Sequence, residues 1–442
     1  MALNIVHRGG VALATTGNPL RHVFRAERVA RHAPELAGVE PRPIRSAAVI
    51  GGGTMGTGIA AALCNAGLPL VIVERDEAAR EGAVARLRAI FDGAVKRRRI
   101  SAGLAAERLA RVTGATDYAV LAEADLIIEA VFEDLDVKRD VFRKVAAACR
   151  HDAVLATNTS YLNPERIADG IASPERFLGL HFFSPAQVMK LLEIVPTGAT
   201  APEALATGFA LARMLNKIPV RAGISDGFIG NRILKVMRGQ AERLLVTGAS
   251  PSAVDAAMRA FGLPMGPFEA QDLGGLDIAA FQRRAARARG LPVFAPVSDR
   301  LCAIARFGQK SGGGWYDYVP GHRTPLPSEA VARLVEEEAQ GWPRLDWDEA
   351  SIIDCILWPM VNEAARIVED GTALRPSDID LVEIHGYGFP RWRGGLMHHA
   401  QAQGLDRIVA ALGAFAEKGL ADPPSTLLVR AAAQGRFSEA LR

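Results

Sequence analysis

A histidine and a glutamate stand in apolar strands where packing alone does not require them. His181 lies in the apolar run 177–183, and Glu193 lies in the next one. Imidazole titrates near neutral pH, so it can remove a hydroxyl proton while hydride leaves the adjoining carbon of a secondary alcohol. A carboxylate beside the ring would fix its tautomer and stabilise the imidazolium. Both residues also have a structural interpretation, with His181 as a hydrogen-bonded core residue and Glu193 as the partner of Lys190 or Arg213.

Ser160 and Asn231 are candidates for contact with a substrate. Ser160 closes the sequence Asn158-Thr159-Ser160, which directly follows the apolar run Val154–Thr157. Ligands of open α/β sheets lie outside the carboxyl ends of the strands, so a residue in this place can reach them. Asn231 stands one helical turn after Gly227, where its side chain either reaches back to the ligand or satisfies the helix start itself. The spacing leaves both interpretations open.

A glycine pattern that can hold a pyrophosphate follows the first apolar run. Gly51-x-Gly53-x-x-Gly56 comes directly after Ala47–Ile50 and opens a helix predicted over 54–66. The first glycine allows the tight turn, the second lets backbone approach the pyrophosphate, and the third lets the helix pack closely on the strand. This context predicts a dinucleotide site that is contacted by Gly51, Gly53, Thr54, Met55 and Gly56.

Glu74 ends the second apolar run, 68–73. A carboxylate there accepts hydrogen bonds from an adenosine ribose diol and repels a 2′-phosphate, which favours NAD over NADP. Arg75 beside it weakens that preference, and a solvated strand-end residue is the structural alternative for Glu74.

Alternating strands and helices must position these residues. From Ser46 onward, short apolar runs alternate with segments of helical period, which is typical of an α/β fold. The pattern predicts a doubly wound, Rossmann-type NAD-binding domain with a parallel sheet over residues 46–222. Its predicted strands are 47–50, 68–73, 126–130, 154–157, 177–183 and 191–195, and its helices include 54–66, 134–149 and 202–215.

Helical patterns replace the strand signals after Gly223. A stretch rich in proline and glycine, 312–327, divides this region, so we predict one helical domain over 223–325 and a second over 326–442. The two carry similar marks in the same order, which are Glu242, Gly248, Pro251, Asp255, Gly262, Pro264 and Gly266 in the first and Glu363, Gly371, Pro376, Asp380, Gly388, Pro390 and Gly394 in the second. Duplication explains this order better than the glycines and prolines common to helix-turn-helix segments. Residues 1–45 are interpreted as a linker-like arm.

The composition is that of a globular protein and argues against nucleic acid as a partner. The chain has 442 residues, 49% hydrophobic and 23% charged, enough for two or three packed domains. A net charge of +3 is too small for non-specific nucleic-acid binding. No apolar run reaches the ~18 residues of a membrane span. The 4 cysteines are dispersed, which predicts no metal site and a reducing, cytoplasmic compartment.

Four of these segments resemble one enzyme family. Segments 49–56, 158–160, 181–193 and 227–232 are similar to those of the L-3-hydroxyacyl-CoA dehydrogenases. The resemblance is greatest to the dehydrogenase portion of the multifunctional enoyl-CoA hydratase/3-hydroxyacyl-CoA dehydrogenases, and it runs from about Arg21 to the C-terminus. It implies NAD-dependent oxidation of an L-3-hydroxyacyl-CoA to the 3-oxoacyl-CoA, as in fatty-acid β-oxidation.

The resemblance also implies roles for single residues. His181 would take the proton of the 3-hydroxyl, with Glu193 as its partner, while Ser160 and Asn231 hydrogen-bond the substrate oxygen near the nicotinamide. Positions near the cofactor are matched by Glu133, Lys138, Ser160 and, more loosely, Lys310. Ordinary surface charge is the alternative for the charged residues of that set.

Expectations about assembly come from the same resemblance. Short members of the family dimerise through one helical domain, whereas multifunctional members carry two that pack on each other. The duplication therefore favours a monomer and leaves a homodimer open. Only 45 residues precede Ser46, where multifunctional relatives carry a hydratase domain, so we expect no hydratase activity and leave a separate hydratase or thiolase partner chain open. Two other functions remain open: a short-chain acetoacetyl-CoA reductase or 3-hydroxybutyryl-CoA dehydrogenase, and a non-catalytic NAD-binding partner subunit.

Overall fold

The computed structural model describes residues 17–437. Within them, strands β1 to β8 are, in chain order, Ala47–Ile50, Leu70–Val73, Val112–Ala115, Leu126–Glu129, Val154–Thr157, Phe177–Phe182, Leu191–Pro196 and Ile218–Arg221. They form one sheet in the order β3-β2-β1-β4-β5-β6-β7-β8. Neighbouring strands are parallel except β6 and β7, which are antiparallel. The link between those two strands is too short for the crossover that a parallel pair needs.

The predicted α/β class is confirmed, because the central strands are apolar at nearly every position. All residues of β1, β4 and β5 are buried, as expected for a sheet covered on both faces. Neighbouring residues of one strand point to opposite faces of the sheet. Ile128 packs with Ile59 and Leu87 on one side of the sheet, and Ile127 packs with Phe142 on the other.

Two strands were missed, and both lie at the edges of the sheet. β3 has one large apolar residue, Val112, followed by Thr113 and Gly114, so it lacks the apolar run of a central strand. β8 contains Pro219, which argues against a strand, yet an edge strand tolerates proline because one side of its backbone needs no partner.

Helices cover the sheet and make up most of the remaining described chain. Helices α1 to α7 are Pro19–His32, Thr54–Asn65, Glu77–Lys96, Ala102–Leu109, Leu135–Ala148, Pro164–Ala168 and Pro202–Met214. Helices α8 to α18 are Gly230–Val246, Pro251–Phe261, Pro267–Gly274, Leu276–Ala288, Pro296–Ala303, Glu329–Glu338, Glu349–Glu369, Pro376–Gly386, Leu396–Gln403, Leu405–Glu417 and Thr426–Gln434. In the part of the chain described, each helix is too short or too polar to cross a bilayer.

The lengths of the C-terminal helices support the duplication. α9 and α15 each have 11 residues, α10 and α16 each have 8, and α11 and α17 each have 13. A glycine with positive φ directly precedes both α11 and α17, at Gly275 and Gly404. Three successive helices therefore recur with the same lengths in the same order.

The chain forms two compact units, and each of them combines separate stretches of the sequence. One unit contains the sheet and consists of Arg21–Asn231 together with Asp370–Tyr387. The other is helical and takes described residues 17–20, 232–369 and 388–437. The predicted boundaries after residues 222 and 325 stay predictions. Of the predicted arm, residues 1–16 lie outside the described residues, and the remainder contains α1.

The segment Asp370–Tyr387 adds to the far edge of the sheet. The Gly223 amide donates to the Thr372 carbonyl at 2.7 Å, beside an antiparallel bridge between Ala222 and Ala373. α15 follows and packs on β7 and β8, and its buried residues include Ile379, Leu381 and Val382. A segment of the second helical repeat is thereby part of the unit that carries His181.

His399 makes the stability of the helical unit sensitive to acid. Its ring is buried beside Phe261 and Trp358, and burial lowers its pKa to about 3. Unfolding exposes a histidine that binds a proton near pH 6.5, so the unfolded state gains protons as the pH falls below that value. We expect wild type to lose about 2 kcal/mol more unfolding free energy than His399→Phe between pH 7 and 5. Urea titrations at both pH values measure this, and equal losses would refute it.

Candidate active site

The β6–β7 hairpin brings His181 and Glu193 together. The two residues are directly opposite in the antiparallel register, and Nδ1 of His181 lies 2.6 Å from Oε2 of Glu193. The side chains are 4% and 0% exposed. A carboxylate accepts hydrogen bonds only, so Nδ1 carries the proton and Nε2 presents its lone pair. The interpretation of Glu193 as a partner of Lys190 or Arg213 does not describe this arrangement.

Backbone amides hold the other oxygen of Glu193. Oε1 accepts from the Ile229 amide at 3.2 Å and from the Gly230 amide at 3.0 Å. The chain turns these amides inward through Gly227 at φ 95° and Phe228 at φ 52°. Positive φ is strained for a bulky residue and is maintained only where the surroundings require it. The Glu193 carboxylate is therefore fixed on both sides.

Ser160 lies at the lone pair of His181. Its Oγ is 3.1 Å from Nε2, at the carboxyl end of β5. The histidine ring is flanked by Phe183 and Phe228, with ring centres 4.5 and 5.5 Å away. Asn158 ties the ends of the two strands, because its Oδ1 accepts from the Phe182 amide at 3.0 Å. A hydroxyl group that reaches Ser160 can also reach the base.

Asn231 meets a residue that the sequence did not single out. Its backbone amide donates to the Gly227 carbonyl at 3.1 Å, which satisfies the helix start without the side chain. The side-chain Oδ1 instead accepts from the hydroxyl of Tyr387 at 3.0 Å. No sequence spacing indicated Tyr387, since 156 positions separate it from Asn231.

Lys138 is a buried lysine that lies between two acids, Glu129 and Glu133. Nζ of Lys138 is 2.7 Å from Glu129 and 3.5 Å from Glu133, and the Lys138 side chain is fully buried. Burial raises the pKa of Glu129, and Lys138 opposes that rise. Surface charge therefore does not describe Lys138. Glu129 was not predicted as a site residue, although an acid at the end of an apolar strand was a signal that could have found it.

Glu133 supports the loop that carries Ser160. It accepts from the Ser160 amide at 2.9 Å, from the Tyr161 amide at 3.2 Å and from the Thr159 hydroxyl. Burial opposes ionisation of Glu133, but Lys138 and these donors outweigh it and leave its pKa below the ordinary value. The Glu133 carboxylate thus holds the backbone that presents Ser160.

The glycine turn between β1 and α2 fits a dinucleotide. Gly51 has φ 92°, and a Cβ at Gly56 would lie 1.8 Å from the Gly51 carbonyl oxygen, so helix and strand touch there. No described atom lies within 4 Å of the position that a Gly53 Cβ would take. A pyrophosphate can therefore approach the start of α2, where Thr54 and Met55 form the first turn.

Glu74 faces the same turn. Its Oε1 accepts from the Gly52 amide at 2.7 Å, which places the carboxylate beside the backbone of the glycine turn. Arg75 points away, with a side chain 86% exposed and 3.1 Å from Asp76. Arg75 thus lies beside Asp76, and the role of Glu74 at a ribose diol stays a prediction. Lys310 lies in the helical unit 2.6 Å from Asp277, and its role at the cofactor stays a prediction.

Comparison with known proteins identifies two stretches of the chain. Residues 46–225 match the family model for the 3-hydroxyacyl-CoA dehydrogenase NAD binding domain, and residues 227–318 match the model for the C-terminal domain. The peroxisomal bifunctional enzyme of Cavia porcellus is 35% identical over 98% of the chain, which spans 62% of that relative's length.

Two solved structures are similar as well. The 3-hydroxybutyryl-CoA dehydrogenase of Escherichia coli K12 is 28% identical, with a TM-score of 0.78 over 89% of this chain and 99% of its own. The (S)-3-hydroxybutyryl-CoA dehydrogenase of Ralstonia eutropha is 32% identical, with a TM-score of 0.59 over 63% of this chain and 100% of its own.

Proposed function

Because the chain belongs to the 3-hydroxyacyl-CoA dehydrogenase family and carries its NAD-binding domain, we propose that it oxidises an L-3-hydroxyacyl-CoA to the 3-oxoacyl-CoA in fatty-acid β-oxidation. The observation that supports this most is the hydrogen-bonded series Glu193, His181, Ser160 at the carboxyl ends of the strands. It provides a base whose lone pair faces a hydroxyl group, as removal of a proton from an alcohol requires.

The residues at the glycine turn would hold NAD. Gly51, Gly53 and Gly56 accommodate the pyrophosphate at the start of α2, and Glu74 accepts from the adenosine ribose. Bound NAD supplies the two-electron acceptor for the hydrogen that leaves C3 of the alcohol. Glu133 fixes the loop of Ser160 through the Ser160 amide, and Lys138 holds Glu133 in place.

His181 is the proposed acid-base catalyst. Nε2 takes the proton of the 3-hydroxyl while the C3–O bond becomes a carbonyl, and the proton remains on the ring. Glu193 stabilises the resulting imidazolium through Nδ1 and cannot turn away, because backbone amides hold its second oxygen. Ser160 and Asn231 hydrogen-bond the substrate oxygen and orient C3. In the reductive direction the same ring returns the proton.

Replacing Glu74 tests the cofactor preference. We expect Glu74→Ser to raise the KM for NAD about 10-fold, because a charge-assisted bond to the ribose is lost, and to reduce the preference for NAD over NADP. Initial rates with each cofactor measure this. Glu81→Ser, at an exposed acid in α3, is the matched control. If the ratio of the rate with NAD to the rate with NADP is unchanged in Glu74→Ser, Glu74 does not contact the cofactor.

A substrate panel tests the function itself. Purified protein should form NADH from L-3-hydroxyacyl-CoA substrates, and absence of turnover with every chain length would favour the non-catalytic alternative. The similarity to two 3-hydroxybutyryl-CoA dehydrogenases favours the short-chain function as the second candidate. Rates with C4 and C10 substrates in both directions separate the two.

We propose that the chain is a monomer. Within the helical unit Gly262 packs on Pro390, and Gly388 packs on Pro264. This reciprocal pattern is the one that an isologous dimer contact would show, so the two repeats meet within one chain. Light scattering should give 47.1 kDa, whereas twice that mass would establish a homodimer. A cytoplasmic location and a separate hydratase or thiolase partner remain predictions from the sequence.

A further inference from the structure

Tyr387 comes from the second helical repeat and reaches the proposed substrate site. It directly follows α15, and its hydroxyl donates to Oδ1 of Asn231 at 3.0 Å. We propose that Tyr387 is a positioning residue that fixes the Asn231 amide so that its Nδ2 points to the substrate oxygen. This inference rests on the proposed function, in which Asn231 hydrogen-bonds that oxygen.

The chemistry of an amide makes its orientation important. An asparagine side chain has an accepting oxygen on one side and a donating nitrogen on the other, and rotation by half a turn exchanges them. The oxygen on C3 becomes a carbonyl during oxidation, so it needs donors more as the reaction proceeds. A hydroxyl that donates to Oδ1 keeps that oxygen away from the substrate and leaves Nδ2 as the group that can donate.

The ring of Tyr387 is held closely enough to do this. A Cβ at Gly230 would lie 2.4 Å from the Tyr387 ring, so only a glycine lets the ring approach there. The ring also meets Phe183 edge to face, with centres 5.7 Å apart. Gly230 donates its amide to Glu193, and Phe183 flanks His181. Tyr387 thus contacts the supports of the His181–Glu193 pair as well as Asn231.

The first helical repeat has no hydroxyl at this point. Gly262 is the counterpart of Gly388, so the residue that corresponds to Tyr387 is Phe261, which has a ring but no polar group. α15 is followed by Tyr387, placed in the same compact unit as the sheet. The second repeat therefore contributes a polar group to a site in the unit that contains the sheet.

Tyr387→Phe tests the inference because it removes the hydroxyl and keeps the ring. We expect kcat/KM for L-3-hydroxybutyryl-CoA to fall about 10-fold, while the Kd for NAD and the thermal midpoint stay at wild-type values. In an Asn231→Ala background the same change should alter kcat/KM by less than about 2-fold, because the amide it positions is gone. A merely structural role would lower both backgrounds equally.

The controls separate this inference from the proposed function. Tyr118→Phe removes a hydroxyl from a side chain that packs in the cluster with Phe142 of α5, and it should leave the rates unchanged. Wild-type rates in Tyr387→Phe, or an equal fall in the Asn231→Ala background, would overturn the positioning role. If one of these results is found while His181→Gln abolishes turnover, only the role of Tyr387 is refuted and the proposed function stands. A wild-type protein that oxidises no 3-hydroxyacyl-CoA overturns both.

Discussion

His181→Gln should lower kcat for oxidation of L-3-hydroxybutyryl-CoA by about 10²–10⁴-fold, with little change in the Kd for NAD. The imidazole lies 3.1 Å from the Ser160 hydroxyl and can accept a proton, and glutamine keeps much of the side-chain volume without that ability. The dinucleotide turn involves other strands, so cofactor binding should persist. Stopped-flow NADH formation and fluorescence titration with NADH measure the two quantities.

His151→Gln is the matched control for this variant. His151 is exposed and precedes β5, so the same substitution there should leave kcat unchanged. Turnover of His181→Gln within about 10-fold of wild type, at an unchanged thermal midpoint, would mean that another group accepts the proton.

Glu193→Gln should lower kcat by about 10³-fold or more, although only one atom changes. If the glutamine oxygen faces His181, the amide nitrogen opposes the Ile229 and Gly230 amides, and donor meets donor. If the nitrogen faces His181 instead, it donates to Nδ1 and forces the ring proton onto Nε2, where the base is needed. The imidazolium also loses its neighbouring charge in both arrangements.

Two measurements separate loss of catalysis from loss of folding in that variant. Thermal unfolding reports the cost of the unsatisfied amide, and kcat is compared at a temperature where the variant is fully folded. Glu203→Gln, at an exposed acid in the first turn of α7, should behave as wild type. A folded Glu193→Gln protein that keeps more than about a tenth of wild-type kcat would refute the paired role.

The central strands could be predicted because burial on both faces leaves an unbroken apolar run. β1 and β5 match the predicted ranges residue for residue, while β3 and β8 lie at edges where Gly114 and Pro219 are tolerated. The same reasoning found His181 and Glu193, since a polar residue in such a run is conspicuous. The antiparallel register that pairs them was not predicted, and it follows from the short link between β6 and β7.

Long-range contacts account for what the sequence did not show. Local periodicity predicts a helical domain over 326–442, but only the folded chain shows that 370–387 joins the sheet unit. The sequence left surface charge open as the alternative for Lys138, and the burial of its side chain involves Glu129 at the end of a different element. Spacing along the chain does not reveal such long-range contacts.

Transfer of the C3 hydrogen is the most direct test of the proposed reaction. L-3-Hydroxybutyryl-CoA carrying deuterium at C3 is incubated with NAD and the purified protein, and the NADH is analysed by mass spectrometry. We predict that wild type forms NADH that carries the deuterium. It should form no NADH from the D isomer, and His181→Gln should form the labelled NADH at a greatly reduced rate. NADH without the label, or no NADH from the L isomer, would contradict the assignment.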